Sequence, residues 1–178
     1  MRIIAGDLKG RRLETPGWPG LRPTSDRLRE TLFNILAPRI AGTRILDGYA
    51  GTGAVGIEAL SRGAAHVTFV EQDARAQALI EANLRRCGVS DRYAIIRAGL
   101  AAATGRLSET FDIVFLDPPY GAVELATALE AGASLLGEHG LLVIEHATRD
   151  AAPGATPRLT RTRALTQGDS ALAFYTHV

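Results

Sequence analysis

From residue 43 onward, short apolar runs alternate with amphipathic stretches. Arg44-Ile-Leu-Asp47, His66-Val-Thr-Phe-Val-Glu71, Tyr93-Ala-Ile-Ile-Arg97, the run starting at Phe111 and Leu141-Leu-Val-Ile-Glu145 each read as a buried strand. They are brief, rich in β-branched or aromatic side chains, and bounded by turn formers. Between them, Gly53 to Arg62 closing at Gly63, and Ala74 to Cys87 ending at Gly88, have helical spacing. A weaker helix lies near 100–107, and Leu125, Leu129, Ala133 and Leu136 stripe another. Such βα alternation predicts an α/β, doubly wound, mostly parallel sheet with helices on both faces and ligands at the strands' carboxyl ends. After Pro157 the period falls to two. Residues 158–165 and 171–178 flank Gln167-Gly-Asp-Ser170 and predict a terminal antiparallel hairpin at the sheet edge.

The leading segment follows another pattern. Arg2-Ile-Ile-Ala5 and Arg11-Arg12-Leu13 around Gly6-Asp-Leu-Lys-Gly10 predict a small hairpin, and residues 14–23, rich in Pro and Gly, a loop. Thr24, Ser25 or Asp26 can cap the next helix. In that helix Leu28, Thr31, Leu32, Ile35 and Leu36 share one face, leaving Arg27, Arg29, Glu30 and Asn34 outward until Pro38 closes it. Residues 1–40 are thus expected to form an extension and residues 41–178 the main domain.

Composition narrows the chemistry. The chain has 178 residues, 46% hydrophobic, enough for one domain with its own core. A single cysteine, Cys87, allows no internal disulfide or thiolate metal cluster, and His66, His139, His146 and His177 lack ligand spacing, so no metal is expected. No run reaches membrane-spanning length and Met1-Arg-Ile-Ile-Ala5 lacks a signal core, so a cytoplasmic protein, free of membranes, is expected. The net charge of +1 hides an asymmetry: residues 1–40 carry eight basic side chains against four acids. A basic arm with Arg2, Lys9, Arg11, Arg12 and Arg22 suits a polyanion such as RNA. The bland alternative is ordinary surface arginine, which this chain uses throughout.

Two stretches carry candidate chemistry. Asp47-Gly-Tyr-Ala-Gly51-Thr-Gly53-Ala-Val-Gly56 places G-x-G-x-x-G between a strand and a helix, where backbone and helix N-terminus can approach a cofactor. Glu71 ends the next strand, twenty residues on, where an acid can accept both hydroxyls of an adenosine ribose. Asp47 would repel a dinucleotide's pyrophosphate but suit the ammonium and sulfonium of S-adenosylmethionine. Alternatively it is a turn-forming side chain bonding its own loop. The second stretch is Phe115-Leu-Asp-Pro-Pro-Tyr120. The prolines end the strand, and Pro118, preceding proline, is held extended. A carboxylate, a free carbonyl and an aromatic ring then stand together: two acceptors for the two hydrogens of a base amino group, and a face for its ring. The same tetrapeptide also serves as a plain turn, with Asp117 capping and Tyr120 packed as core.

Arg22-Pro-Thr-Ser-Asp-Arg27, Arg29-Glu30-Thr31-Leu32-Phe33-Asn34, Leu46-Asp47 through Gly53, Gly56-Ile-Glu-Ala-Leu-Ser-Arg-Gly63, Phe69-Val-Glu71 and Phe115 through Tyr120 occur in order. In that combination the chain resembles class I S-adenosylmethionine-dependent methyltransferases, specifically the RsmD-like family that methylates guanine N2 in small-subunit ribosomal RNA. The resemblance implies a seven-stranded-type Rossmann-like sheet, with Asp47, Gly51 and Gly53 at the methionine part and Glu71 at the ribose. Thr52 and Gln72 would also touch the cofactor. Residues 22–27, with Thr24 and Arg27, would fold over it, the arm would meet RNA, and Asp117, Pro118, Pro119 and Tyr120 would hold the target base. Two positions depart from the family. Gly48 stands where relatives carry an apolar residue, expected only to loosen the turn. Gly99 stands where they often place Asp or Asn, leaving adenine to backbone near Gly99 and Leu100.

The expected partner is small-subunit ribosomal RNA or an assembling small subunit, met by a monomer. Three rivals remain: a DNA adenine-N6 methyltransferase, since the Asp-Pro-Pro-Tyr set serves any exocyclic amine; an NAD-dependent oxidoreductase on the same glycine loop; and a non-catalytic RNA-binding protein. Glu145 and His146 border the substrate cleft or form a satisfied surface pair.

Overall fold

The computed structural model describes residues 1–20 and 24–178. After α1 (Asp26–Leu36) come β1 (Arg44–Gly48), α2 (Ala54–Ser61), β2 (His66–Glu71), α3 (Ala74–Arg86) and β3 (Tyr93–Arg97). Then follow α4 (Leu100–Thr104), β4 (Phe111–Leu116), α5 (Ala122–Leu135), β5 (Leu136–Ala147), β6 (Leu159–Gln167) and β7 (Ser170–His177). The sheet order is β3-β2-β1-β4-β5-β7-β6, parallel from β3 to β5, with β7 antiparallel to both β5 and β6. This is the doubly wound sheet with a terminal hairpin that the alternation predicts. Among the described residues no helix is long and apolar enough to cross a membrane.

Strand periodicity divides the core into two layers. Ile45, Phe69, Ile113, Phe115 and Val143 face the side carrying Leu32, Phe33, Ile57 and Ile80. Leu46, Val70, Val114, Leu116 and Ile144 face the side carrying Leu100, Leu125 and Leu129. Both faces are covered, so the central strands are continuously apolar instead of alternating. The chain winds outward from β1 to β3, then crosses to β4 on the other side of β1. The carboxyl ends of β1 and β4 therefore flank the topological switch point, where open α/β sheets leave a crevice.

The leading hairpin is too short to count as strands, but it is closed. Arg2 bridges Arg12, Ile3 N–H donates to Arg11 O at 2.9 Å, and Leu13 N–H donates to Met1 O at 3.1 Å. Ile3 and Leu13 join the core layer beneath α1 and α2. Ser25 caps α1 by accepting from Leu28 N–H.

Three expectations change. Arg29 does not point outward. It is fully buried, paired with Asp26 at 3.1 Å and donating to Arg2 O, with the Glu58 carboxylate 3.9 Å away. Helical periodicity marks it polar, but the arm folds over that flank, and the acids hold the guanidinium charged against a burial that lowers its pKa. Leu136 does not end the α5 stripe: the chain turns extended there, and β5 begins at once, pairing Leu136 with Phe111. Gly48 sits in β1, not in a turn. A β-carbon there would lie 2.6 Å from Leu116 Cδ2, so Leu116 fills the space that an apolar side chain at 48 would need.

Glu58 explains how the arm is held. Buried in α2, it accepts Ile4 N–H at 2.8 Å, Ala5 N–H at 3.0 Å and Arg62 Nε at 2.8 Å. Ser61, one turn on, bonds Ala5 O and Leu8 N–H, and Asn83 bonds both backbone groups of Glu14. Replacing Glu58 with Gln puts an amide donor against donors, and should lower stability by about 2 kcal/mol. Chemical denaturation measures this; a loss below about 0.5 kcal/mol would mean that Ile3 and Leu13 alone anchor the arm.

Candidate active site

A cavity of about 840 Å³ opens at the carboxyl ends of β1, β2, β4 and β5. The β1–α2 loop forms its floor. Gly51 and Gly53 have φ of 57° and 75°, and Gly53 is the N-cap of α2. Gly56 serves another need, since a β-carbon there would overlap the Phe69 ring and push α2 off the sheet. Asp47 reaches along the loop, its Oδ2 accepting Gly56 N–H at 2.9 Å, while also lining the cavity. Only 2% of Asp47 is exposed, and burial pushes its pKa up to about 8 despite that hydrogen bond, with Glu71 adding repulsion.

Tyr49, between the glycines' turn and β1, has a φ of 62° and also lines the cavity. A bulky side chain in the left-handed region is strained, and such strain concentrates at functional sites. Nothing in the sequence marks this residue beyond its place in the loop.

The second wall comes from the end of β2. Glu71 accepts Gly51 N–H at 2.9 Å with one oxygen and Asp73 N–H at 2.8 Å with the other, which fixes the carboxylate facing the cavity. Gln72 lines the cavity beside it, its Oε1 3.1 Å from where a β-carbon of residue 99 would stand. Gln72 therefore overhangs the place left bare by glycine. Thr52 lines the floor, but Gly53, Gly99, Leu100 and Arg27 stand outside the lining. Leu100 is core, packed in the layer of Leu46 and Leu116, and Arg27 is exposed on α1.

Opposite lies the acid-diproline corner. Asp117, Pro118, Pro119 and Tyr120 all line the cavity. Tyr120 is 47% exposed and so is not core; the Arg149 guanidinium carbon lies 5.6 Å from its ring centroid. Nor does Asp117 cap α5, whose N-cap is Gly121. Burial holds the Asp117 carboxyl well above the ordinary range, and the charges of Glu145 and Asp47 push it further.

Glu145 is buried in this wall, not paired at the surface. Its Oε2 accepts from Thr24 Oγ1 at 2.7 Å, which ties the segment before α1 to the end of β5, and Thr24 lines the cavity too. Burial raises its pKa, opposed by the Thr24 and Ser170 hydroxyls. The signal available in the sequence was topological: an acid at the end of the strand following the Asp117 strand. Among the described residues no group of three His, Cys, Asp or Glu is arranged to hold a metal ion.

Four acids around one cavity favour a ligand bearing positive charge and hydrogen-bond donors over one bearing phosphates. A sulfonium amino acid joined to adenosine carries that combination of charge and donors.

The basic arm lies apart. Arg2, Lys9 and Arg12 are exposed, and Arg2 and Arg12 line a second cleft with Arg86, Glu14 and Asp26. Arg11 instead donates to Cys87 O, fastening the hairpin to the end of α3. Arg22 lies outside the described residues.

Over residues 1–176 the chain matches the family described as conserved hypothetical protein 95. It is 35% identical over 177 residues to ribosomal RNA small subunit methyltransferase D of Escherichia coli K12, covering 98% of this chain and 89% of that protein. The solved structure of the Escherichia coli protein yhhF superposes with a TM-score of 0.81 at 34% identity, over 99% and 97% of the two chains. Fold alone is shared, at 16% identity and a TM-score of 0.69 over 83% and 48% of the chains, with SMU.776, solved with S-adenosylhomocysteine (SAH).

Proposed function

The chain belongs to the conserved hypothetical protein 95 family, the RsmD-like methyltransferases, and on that footing we propose that it methylates the exocyclic N2 of a guanine in small-subunit ribosomal RNA in the cytoplasm. The observation that carries this reading is the shared cavity: Asp117 to Tyr120 and the glycine loop with Glu71 face one space. S-adenosylmethionine, the cofactor of methyltransferases with this fold, would supply an electrophilic methyl on a positively charged sulfur, the carbon–sulfur bonding pair staying with the neutral thioether that is left.

Asp47 holds the ammonium end and Glu71 the ribose hydroxyls. Gln72, overhanging Gly99, offers the adenine an amide where its relatives often carry Asp or Asn. Asp117 and the Pro118 carbonyl accept the two hydrogens of the guanine amino group. That pins a weak nucleophile whose lone pair is delocalised, and turns it toward the methyl. Most of the gain is orientation and electrostatics. The proton shed by the methylated nitrogen passes to Asp117 or to water. Tyr120 stacks on the base for about 1–3 kcal/mol, after Arg149 moves from its ring or sandwiches the base against it. The base must be flipped out or unpaired to enter.

Labelled methyl transfer to small-subunit particles lacking the modification, followed by nucleoside analysis, tests this; N2-methylguanosine is the expected product. Label on adenine N6 of DNA would transfer the same site to the DNA reading, and no label on either would leave a binding protein.

The exposed arm residues supply sequence-blind phosphate contacts. Replacing Lys9 and Arg12 together with alanine should weaken RNA binding and reduce the salt slope by about 1.5, read from titrations at several salt concentrations. An unchanged slope would mean the arm faces away from the RNA.

A further inference from the structure

Glu145 has no part in the chemistry above, yet its position is built. β4 and β5 run parallel with Leu116 opposite Ile144, so Asp117 and Glu145 occupy the next rung, on strands about 4.8 Å apart. Alternation puts both on the face of Phe115 and Val143, and both line the cavity. Only 6% of Glu145 is exposed. One of its oxygens accepts the Thr24 hydroxyl at 2.7 Å, and Ser170 stands beside the carboxylate in the same wall. Its anchors are thus neutral hydroxyls, which orient a carboxylate without cancelling its charge.

Two carboxylates side by side in a buried wall are costly unless a ligand brings donors to them. The base edges differ in what they bring. Guanine presents its N2 amino group next to N1–H, a donor beside a donor. Adenine and cytosine each present an amino group beside a bare ring nitrogen, an acceptor. A row made of the Pro118 carbonyl, Asp117 and Glu145 is acceptors throughout. It matches guanine and sets a carboxylate against the lone pair of the other two.

We propose that Glu145 is the residue that selects guanine, accepting N1–H while Asp117 and the Pro118 carbonyl hold the N2 amino group. This rests on the guanine-N2 reading and assigns the discrimination within it. Thr24 and Ser170 act as positioning residues, keeping one carboxylate oxygen turned toward the base.

The test replaces the target guanine, once mapped, with 2-aminopurine in a reconstituted small-subunit particle. That base keeps the 2-amino group but carries no hydrogen on N1. The parent protein should prefer guanine by about a hundredfold in kcat/KM. Glu145→Gln can donate its amide hydrogen to the bare nitrogen, and its preference should fall to about tenfold or less. Cofactor titration and a thermal melt of the variant establish that the site is intact. A purely structural Glu145 would lower both rates together and leave their ratio unchanged. That result overturns the inference while N2-methylguanosine formation keeps the underlying reading. A parent that methylates the two bases equally well overturns it without recourse to any variant. A parent that transfers no methyl to guanine overturns the reading beneath it as well.

Discussion

Asp117→Ala should lower methyl transfer by about a thousandfold or more while leaving the affinity for S-adenosylmethionine within about threefold of the parent. The side chain is one of two acceptors proposed for the target amino group, and no neighbour replaces it. Glu145 is committed to N1–H in the reading above, and Asp47 to Gly56 N–H and the cofactor's ammonium. Single-turnover transfer to unmodified particles, beside a cofactor titration, separates the two effects. Turnover within tenfold of the parent would remove Asp117 from the mechanism. A pH profile adds a second check. Burial and two neighbouring acids raise the Asp117 pKa, and a protonated carboxyl turns a donor toward the amino hydrogens. The parent's rate should therefore climb with pH well above the range where an ordinary aspartate titrates, and Asp117→Asn, which keeps an accepting oxygen and has nothing to titrate, should lose that dependence.

How much of this was legible differs by element, for physical reasons. β2 and β3 were readable to the residue, because β-branched runs bounded by turn formers have one solution in a sheet covered on both faces. Glycine, Glu71 and Asp-Pro-Pro-Tyr could be placed at strand ends for the same reason. Arg29 could not, because helical periodicity records polarity and not whether a distant arm will cover it with Glu58. Glu145 looked like a surface acid, since only the rung shared with Asp117 and the hydroxyl of Thr24, 121 positions away, make it a buried one. The strain at Tyr49 has no signature in composition at all. What escaped the sequence is what depends on contacts between remote segments, and the cavity is built largely from those.

Asp47→Asn should move stability and cofactor affinity in opposite directions. The pKa of Asp47 rises from the ordinary 3.8 to about 8 in the folded chain. Between those values the folded protein holds a proton that the unfolded chain releases, so stability falls as pH rises through that window. Asparagine keeps an oxygen for Gly56 N–H and has nothing to titrate. The ligand-free variant should therefore be more stable than the parent at pH 8 by the order of a few kcal/mol, and the decline between pH 4 and 8 should flatten. Cofactor binding should weaken about a hundredfold, because a hydrogen bond to a charged group in a buried site is worth about 1.5–3 kcal/mol. In the parent, a bound cation draws the pKa of Asp47 back down, so binding at pH 7 should release a proton and tighten as pH rises toward 8. Calorimetry in two buffers of different ionisation enthalpy reads that proton directly. A variant that binds S-adenosylmethionine as tightly as the parent, with no proton released by either, would reduce Asp47 to a side chain that shapes its own loop.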